Sequence, residues 1–172
     1  MRRLQALLVL CAACLVIGAC APSTPGGDPA SGAAGGPAAS SDPWVNEMLT
    51  RINAERSAVG AAPLQLCGTL IRSAQAHSQD QAATNNMSHT GSNGSSMTQR
   101  DEAAGYRGWN ALAENVAAGY GSVSAVMDGW MRSSGHRTNL LSTSYVHVGL
   151  GRAASAGGQL YWTQDFGRGG SC

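Results

Sequence analysis

The chain has 172 residues with 11 basic and 10 acidic side chains, and every basic residue is Arg. Two of those arginines, Arg2 and Arg3, stand at the extreme N-terminus, so the remainder is close to neutral, which excludes the basic face that nucleic-acid binding demands. The first forty or so residues do not have globular composition, which leaves about 130 for one domain around one hydrophobic core.

Residues 1–19 read as a leader: Arg2 and Arg3, an apolar run from Leu4 to Ile17, then Gly18 and Ala19 as small residues before a cleavage site. The run is too short to serve comfortably as a permanent span. Ile17-Gly18-Ala19-Cys20 resembles the lipobox of bacterial lipoproteins, which implies that Cys20 becomes the acylated first residue and anchors the protein to the cell envelope. An ordinary secretory leader is the alternative. In a Gram-negative cell, Ala21 after the anchor favours the outer membrane. Residues 20–41 continue as Ala, Gly, Pro and Ser with one charge, Asp28, a composition that cannot bury enough surface to offset its ordering entropy. It reads as a flexible tether.

The domain, 42–172, opens on helix signals. Asp42 suits an N-cap, Pro43 the first helical position, and Glu47 an acidic first turn. Trp44, Met48, Ile52 and Val59, with Val45 and Leu49, make an apolar stripe that Gly60 ends. A second helix is expected from about Leu64 to Thr84, with a narrow face of Cys67, Ile71, Ala74, Ser78 and Ala82 suited to close packing. A polar stretch, Asn85 to Ser96, precedes a capping box at Ser96–Gln99 and a third helix ending at Gly105. Leu112 to Ala118 reads as a strand. A fourth helix runs from Ser122 or Ser124 through Trp130 and Met131 until Gly135 breaks it. Val146, Val148 and Leu150 alternate with Tyr145, His147 and Gly149, and Leu160, Trp162, Gln164 and Phe166 with Tyr161, Thr163 and Asp165, so the chain ends in a hairpin with its turn at Ala153 to Gly158. Helices come first, a strand pair comes last, and no βαβ rhythm appears. The fold class is therefore α+β, with helices packed on a small antiparallel sheet.

Beyond the leader and Cys20, two cysteines remain, Cys67 and Cys172. In an exported protein the two pair as a disulfide; the alternative is a buried thiol and a frayed end. Of the four histidines, His77 reads as a partly exposed structural residue and His147 as structural or surface. His89 and His136 lie in Ser/Gly-rich contexts at element boundaries, where ligand groups concentrate. Glu114 is a carboxylate in an otherwise apolar strand, which is costly unless it is paired or liganding. Two His and a Glu suit a divalent transition metal, zinc above all, if the three converge. The competing reading is a hydrogen-bonded cluster that orders loops.

Leu49 to Arg56, His89, Ala113-Glu114-Asn115-Val116-Ala117, Trp130-Met131, Ser134-Gly135-His136-Arg137, Val148-Gly149-Leu150-Gly151 and Tyr161 to Gly167 together resemble the CAP superfamily of cysteine-rich secretory, antigen 5 and pathogenesis-related class 1 proteins. The resemblance implies an α-β-α sandwich with a central antiparallel sheet and an open cleft carrying two His and two Glu. Matched residue by residue, His89 is the first His, Glu114 the first Glu and His136 the second His. The second Glu falls at Ser133, which is no carboxylate, and Ala113 replaces a usual Gly. His89 and His136 remain as metal ligands, with zinc or another divalent cation as the cofactor. Three function classes follow: a monomeric envelope module binding a lipid, glycan or peptide; a metal-dependent hydrolase with Glu114 as base; and a structural envelope protein. No Gly-x-Ser-x-Gly elbow supports serine hydrolysis.

Overall fold

A computed structural model describes residues 40–172. The leader, Cys20 and nearly all of the tether lie outside the described residues. The elements run α1 (Pro43–Ala58), β1 (Gln65–Leu66), α2 (Gly68–Thr84), α3 (Met97–Ala103), β2 (Ala111–Ala118), α4 (Val123–Arg132), α5 (Ser134–Leu141), β3 (His147–Ala154) and β4 (Leu160–Arg168). The sheet order is β1-β3-β4-β2, with β2–β4 and β3–β4 antiparallel and the two-residue β1 parallel to β3.

The sheet divides two dissimilar layers. On one face α1, α4 and α5 bury Val45, Met48, Leu49, Ile52, Val126, Trp130 and Leu140 against Val148, Leu150, Trp162 and Phe166. Most of the hydrophobic stabilisation sits here, at ~25 cal/mol per Å² of apolar surface removed from water. On the other face α2 lies directly on β3. A Cβ at Gly149 would overlap the backbone of Leu70, and one at Gly151 the backbone of Ala74. Only glycine admits a helix that close. The small-residue face expected for this helix is thus used, although Ile71 is only half-buried and His77 and Gln81 join the contact.

Several local expectations give way to tertiary structure. Residues 64–67 are extended rather than helical, because Gln65 and Cys67 donate their amides to Val146 and Val148 while Leu64 enters the core. The helix therefore starts at Gly68, and it ends at Thr84 as expected, with Asn85 as a left-handed C-cap at φ 50°. Val59 lies beyond α1 and is exposed. Asp42 occupies the N-cap without a side-chain capping bond, and Glu47 falls past the first turn, where it pairs with Arg51 at 3.3 Å. The helix break falls at Ser133, not Gly135. Ser133 turns extended, and a fifth helix follows because Leu140 is drawn into the core. Buried Arg56 fixes that helix end by donating to the carbonyls of Leu140 and Ser142, each at 2.8 Å.

The capping box is formed, with Ser96 accepting from the Gln99 amide and Gln99 accepting from the Ser96 amide. Cys67 and Cys172 are joined, with their Cα atoms 5.0 Å apart across 105 positions of sequence. No helix among the described residues is long and apolar enough to cross a membrane.

Candidate functional site

The site is built on β2, an edge strand. Leu112, Glu114, Val116 and Ala118 face the α2 layer, and Glu114 stands opposite Asp165 of β4. The same pleat turns Asn115 toward the other layer. Asn115 donates to Gln164 Oε1 and to the His136 carbonyl and accepts from Asn139, which fixes α5 against the strand.

Glu114 is buried, and both of its carboxylate oxygens are engaged. Oε1 accepts from His89 Nδ1 at 2.8 Å, and Oε2 accepts from Arg100 Nη2 at 2.5 Å. His77 Nε2 lies 3.8 Å from Oε2. Arg100 also donates to the carbonyls of His89 and Ser95, so one guanidinium from α3 ties the 85–96 segment to the strand. Bonds between ionised partners in a dry setting are the strong ones. Two of the three sequence candidates, His89 and Glu114, therefore meet directly.

The third, His136, comes from the opposite layer. Burial lowers its pKa, and the charge of nearby His89 lowers it further. The two imidazoles thus share one electrostatic neighbourhood at the open edge of β2. His89 is largely exposed, with 62% of its side-chain surface free. Ser133 and His136 line one small cavity of about 260 Å³ with Val116, Tyr120 and Trp130. The position where a second carboxylate was expected therefore borders the same space as the second histidine.

His77 corrects a sequence expectation: it is buried, not partly exposed. Its Nε2 donates to the Ser88 carbonyl at 2.8 Å, and burial lowers its pKa. His147 is half-buried and bonds the Tyr106 hydroxyl at 2.9 Å. It is also the third member of a close trio with Cys67 and Cys172, the one set of three potential ligand atoms within 4.8 Å among the described residues. The disulfide removes both thiolates that a metal would need.

Sequence reasoning missed the acids beneath Glu114. Asp101 and Asp165 are fully buried neighbours. Their charges act on one another, and the two carboxyls lie within hydrogen-bond reach of each other, with the Ser73 hydroxyl beside Asp101. Burial raises the pKa of both, and the charge of Asp101 adds to the rise at Asp165. Three carboxyls therefore share a dry interior with one guanidinium, and holding a proton on the Asp pair relieves the excess.

Residues 49–166 match the model of the cysteine-rich secretory protein family, CAP. Two Bacillus subtilis relatives align: the uncharacterized protein YkwD at 33% identity over 123 residues, and the uncharacterized membrane protein YlbC at 32% over 120 residues. These alignments cover 72% and 70% of this chain but only 46% and 33% of the relatives, so the chain spans less than half the length of either. Among solved structures, an extracellular SCP-domain protein of Bacillus anthracis superposes with TM-score 0.63 at 26% identity, over 72% of this chain and 39% of that one. An outer surface protein of Borrelia burgdorferi superposes with TM-score 0.67 at 20% identity, over 72% of this chain and 91% of that one.

Proposed function

Because this chain belongs to the cysteine-rich secretory protein (CAP) family, we propose that it is an exported binding domain in which His89 and His136 hold a divalent transition metal, zinc above all. Export is supported by the relatives that are described as extracellular or as outer surface proteins. The lipobox resemblance at Cys20 supports a lipid anchor, in the outer membrane if the cell is Gram-negative. The domain acts as a monomer, and its cleft takes a lipid, glycan or peptide.

The observation that carries this reading is the engagement of Glu114. A carboxylate that holds a histidine by Nδ1 leaves the imidazole's Nε2 facing outward as a ligand, the usual arrangement behind metal-binding histidines. His89 is largely exposed, and its charge is felt at His136. The donor set therefore fits an open site with two protein ligands, of modest rather than structural-grade affinity. A bound divalent ion there supplies a positive centre for a ligand oxygen.

The hydrolase reading asks Glu114 to accept a proton from water. Both of its oxygens already accept from cationic or imidazole donors, and Ser133 supplies no second carboxylate. Binding is accordingly the better use of the cleft.

Ser133→Glu tests this reading. It places a carboxylate at the cavity shared with His136, and zinc affinity measured by calorimetry is expected to rise about tenfold or more. Unchanged affinity in that variant, or turnover of peptide, ester or glycan substrates by the zinc-loaded wild type, would count against the proposal.

A further inference from the structure

Cys67, Cys172 and His147 bring two sulfurs and one imidazole nitrogen within 4.8 Å of one another. In the bridged state the sulfurs are spent on each other. As thiolates they are the donors that zinc prefers. Two thiolates and one imidazole, with a water in the fourth position, make a complete tetrahedral set.

Each donor is held by contacts other than the bridge. Cys67 is fully buried at the N-cap of α2, and its amide donates to the Val148 carbonyl at 3.0 Å. The positive end of a 17-residue helix favours a thiolate there. Tyr106, also fully buried, bonds His147 Nδ1 at 2.9 Å and meets the imidazole edge to face at 5.9 Å. An Nδ1–H donated to the Tyr106 oxygen leaves the other ring nitrogen its lone pair, the usual arrangement behind a metal-binding histidine.

The segment bearing Cys172 keeps its place as well. A Cβ at Gly167 or at Gly170 would overlap the Tyr106 ring, so the chain packs directly on it. Thr69 donates to the Ser171 carbonyl at 2.9 Å, and the Ser171 amide donates to the Arg107 carbonyl at 3.1 Å. The two cysteines therefore remain neighbours when the bond between them is broken. Cys172 is exposed and Cys67 is not, so a reductant reaches the bridge from the Cys172 side.

We propose that Cys67, Cys172 and His147 form a zinc site that opens when the disulfide is reduced by a dithiol. One thiolate of the dithiol attacks Cys172 Sγ and displaces Cys67 as a thiolate. The second thiol then attacks the mixed disulfide, closes the dithiol's own disulfide and releases Cys172. Two electrons and two protons have passed to the cysteines, and zinc displaces the two protons when it binds. The ion and the bridge are alternative ties between the same two positions, 105 residues apart. The site uses neither His89 nor His136.

The test uses the full-length chain carrying Cys11→Ser, Cys14→Ser and Cys20→Ser, which leaves Cys67 and Cys172 as its only cysteines. The protein is reduced with a dithiol, freed of it anaerobically and titrated with cobalt(II). A sulfur-to-cobalt charge-transfer band reports thiolate ligands, which the His89–His136 cleft does not supply. The reduced protein is expected to show the band at one ion per chain, and zinc to bleach it. The bridged protein should lack it. Tyr106→Phe is expected to weaken cobalt binding about 10–100-fold, and His147→Ala by more, with circular dichroism showing the fold retained. The proposal is overturned if the reduced protein gives no charge-transfer band, if His147→Ala and Tyr106→Phe bind cobalt as the parent does, or if reduction unfolds the domain and the ion does not restore it.

Discussion

Cys172→Ser removes the one covalent closure of the domain from a position that is itself exposed, so it isolates the cross-link from core packing. The bridged residues are 105 positions apart. In the chain-entropy model a loop of that length restricts the unfolded ensemble by about 4.7 kcal/mol at 25 °C. The tail keeps its other contacts in the variant: Thr69 donates to the Ser171 carbonyl at 2.9 Å, and the Ser171 amide donates to Arg107. Those bonds belong to the native state and leave the unfolded-state effect intact. The expected loss is therefore about 3–5 kcal/mol, which in a domain of this size lowers Tm by roughly 10–20 °C. Urea unfolding followed by tryptophan fluorescence measures it. The midpoint should fall while the m-value rises, because the uncrosslinked unfolded chain exposes more surface. A loss below about 1 kcal/mol with an unchanged m-value would refute the reasoning.

Four further outcomes are expected. Gly149→Ala forces α2 away from β3 and should destabilise by about 1–3 kcal/mol or more in thermal melts, whereas Gly157→Ala in the exposed turn should be nearly neutral. The buried Asp101–Asp165 pair, with raised pKa values, holds a proton in the native state that the unfolded chain releases above about pH 4. Stability should therefore fall as pH rises from there through the folded pKa, and Asp165→Asn should flatten that limb in denaturant titrations. His77 acts in the opposite sense: its lowered pKa means that the unfolded chain takes up a proton first, so stability should fall as pH drops below about 6.5 in both proteins. Glu114→Gln weakens the hold on His89 Nδ1 and should raise the zinc Kd about 10–100-fold in a calorimetric titration.

The sequence carried the elements whose signals are local. Pro43 after Asp42, the Ser96–Gln99 box and the two alternating runs at the C-terminus each declare a helix start or strand through one or two residues, and each stands where expected. Local signals failed where a distant partner decides. Leu64 to Cys67 suits a helix but is extended, because strand β3, some eighty residues later, accepts its amides. The Ser133 break depends on Leu140 finding the core. His89, Glu114 and His136 stood out because a polar residue at a boundary or in an apolar strand is locally anomalous. Asp165 did not, since it alternates with apolar residues as a solvent-facing strand residue does. Only the second helical layer, lying on that face through Gly149 and Gly151, makes it buried. Asp101 and His77 escaped for the same reason, sitting on helices whose outward and inward faces are set by α2 packing on the sheet. Arg100, in a short polar helix, gave no sign that its partner lay on β2.

The central claim, that His89 and His136 together form the cation site with Glu114 behind them, is tested most directly by calorimetric zinc titration of the wild type, His89→Ala and His136→Ala at pH 7.5 and 5.5. One modest site per chain is expected in the wild type at pH 7.5. It should weaken at pH 5.5 as the imidazoles take up protons, and each single variant should lose most of it. Zinc affinity unchanged in both variants, or unchanged between the two pH values, would contradict it.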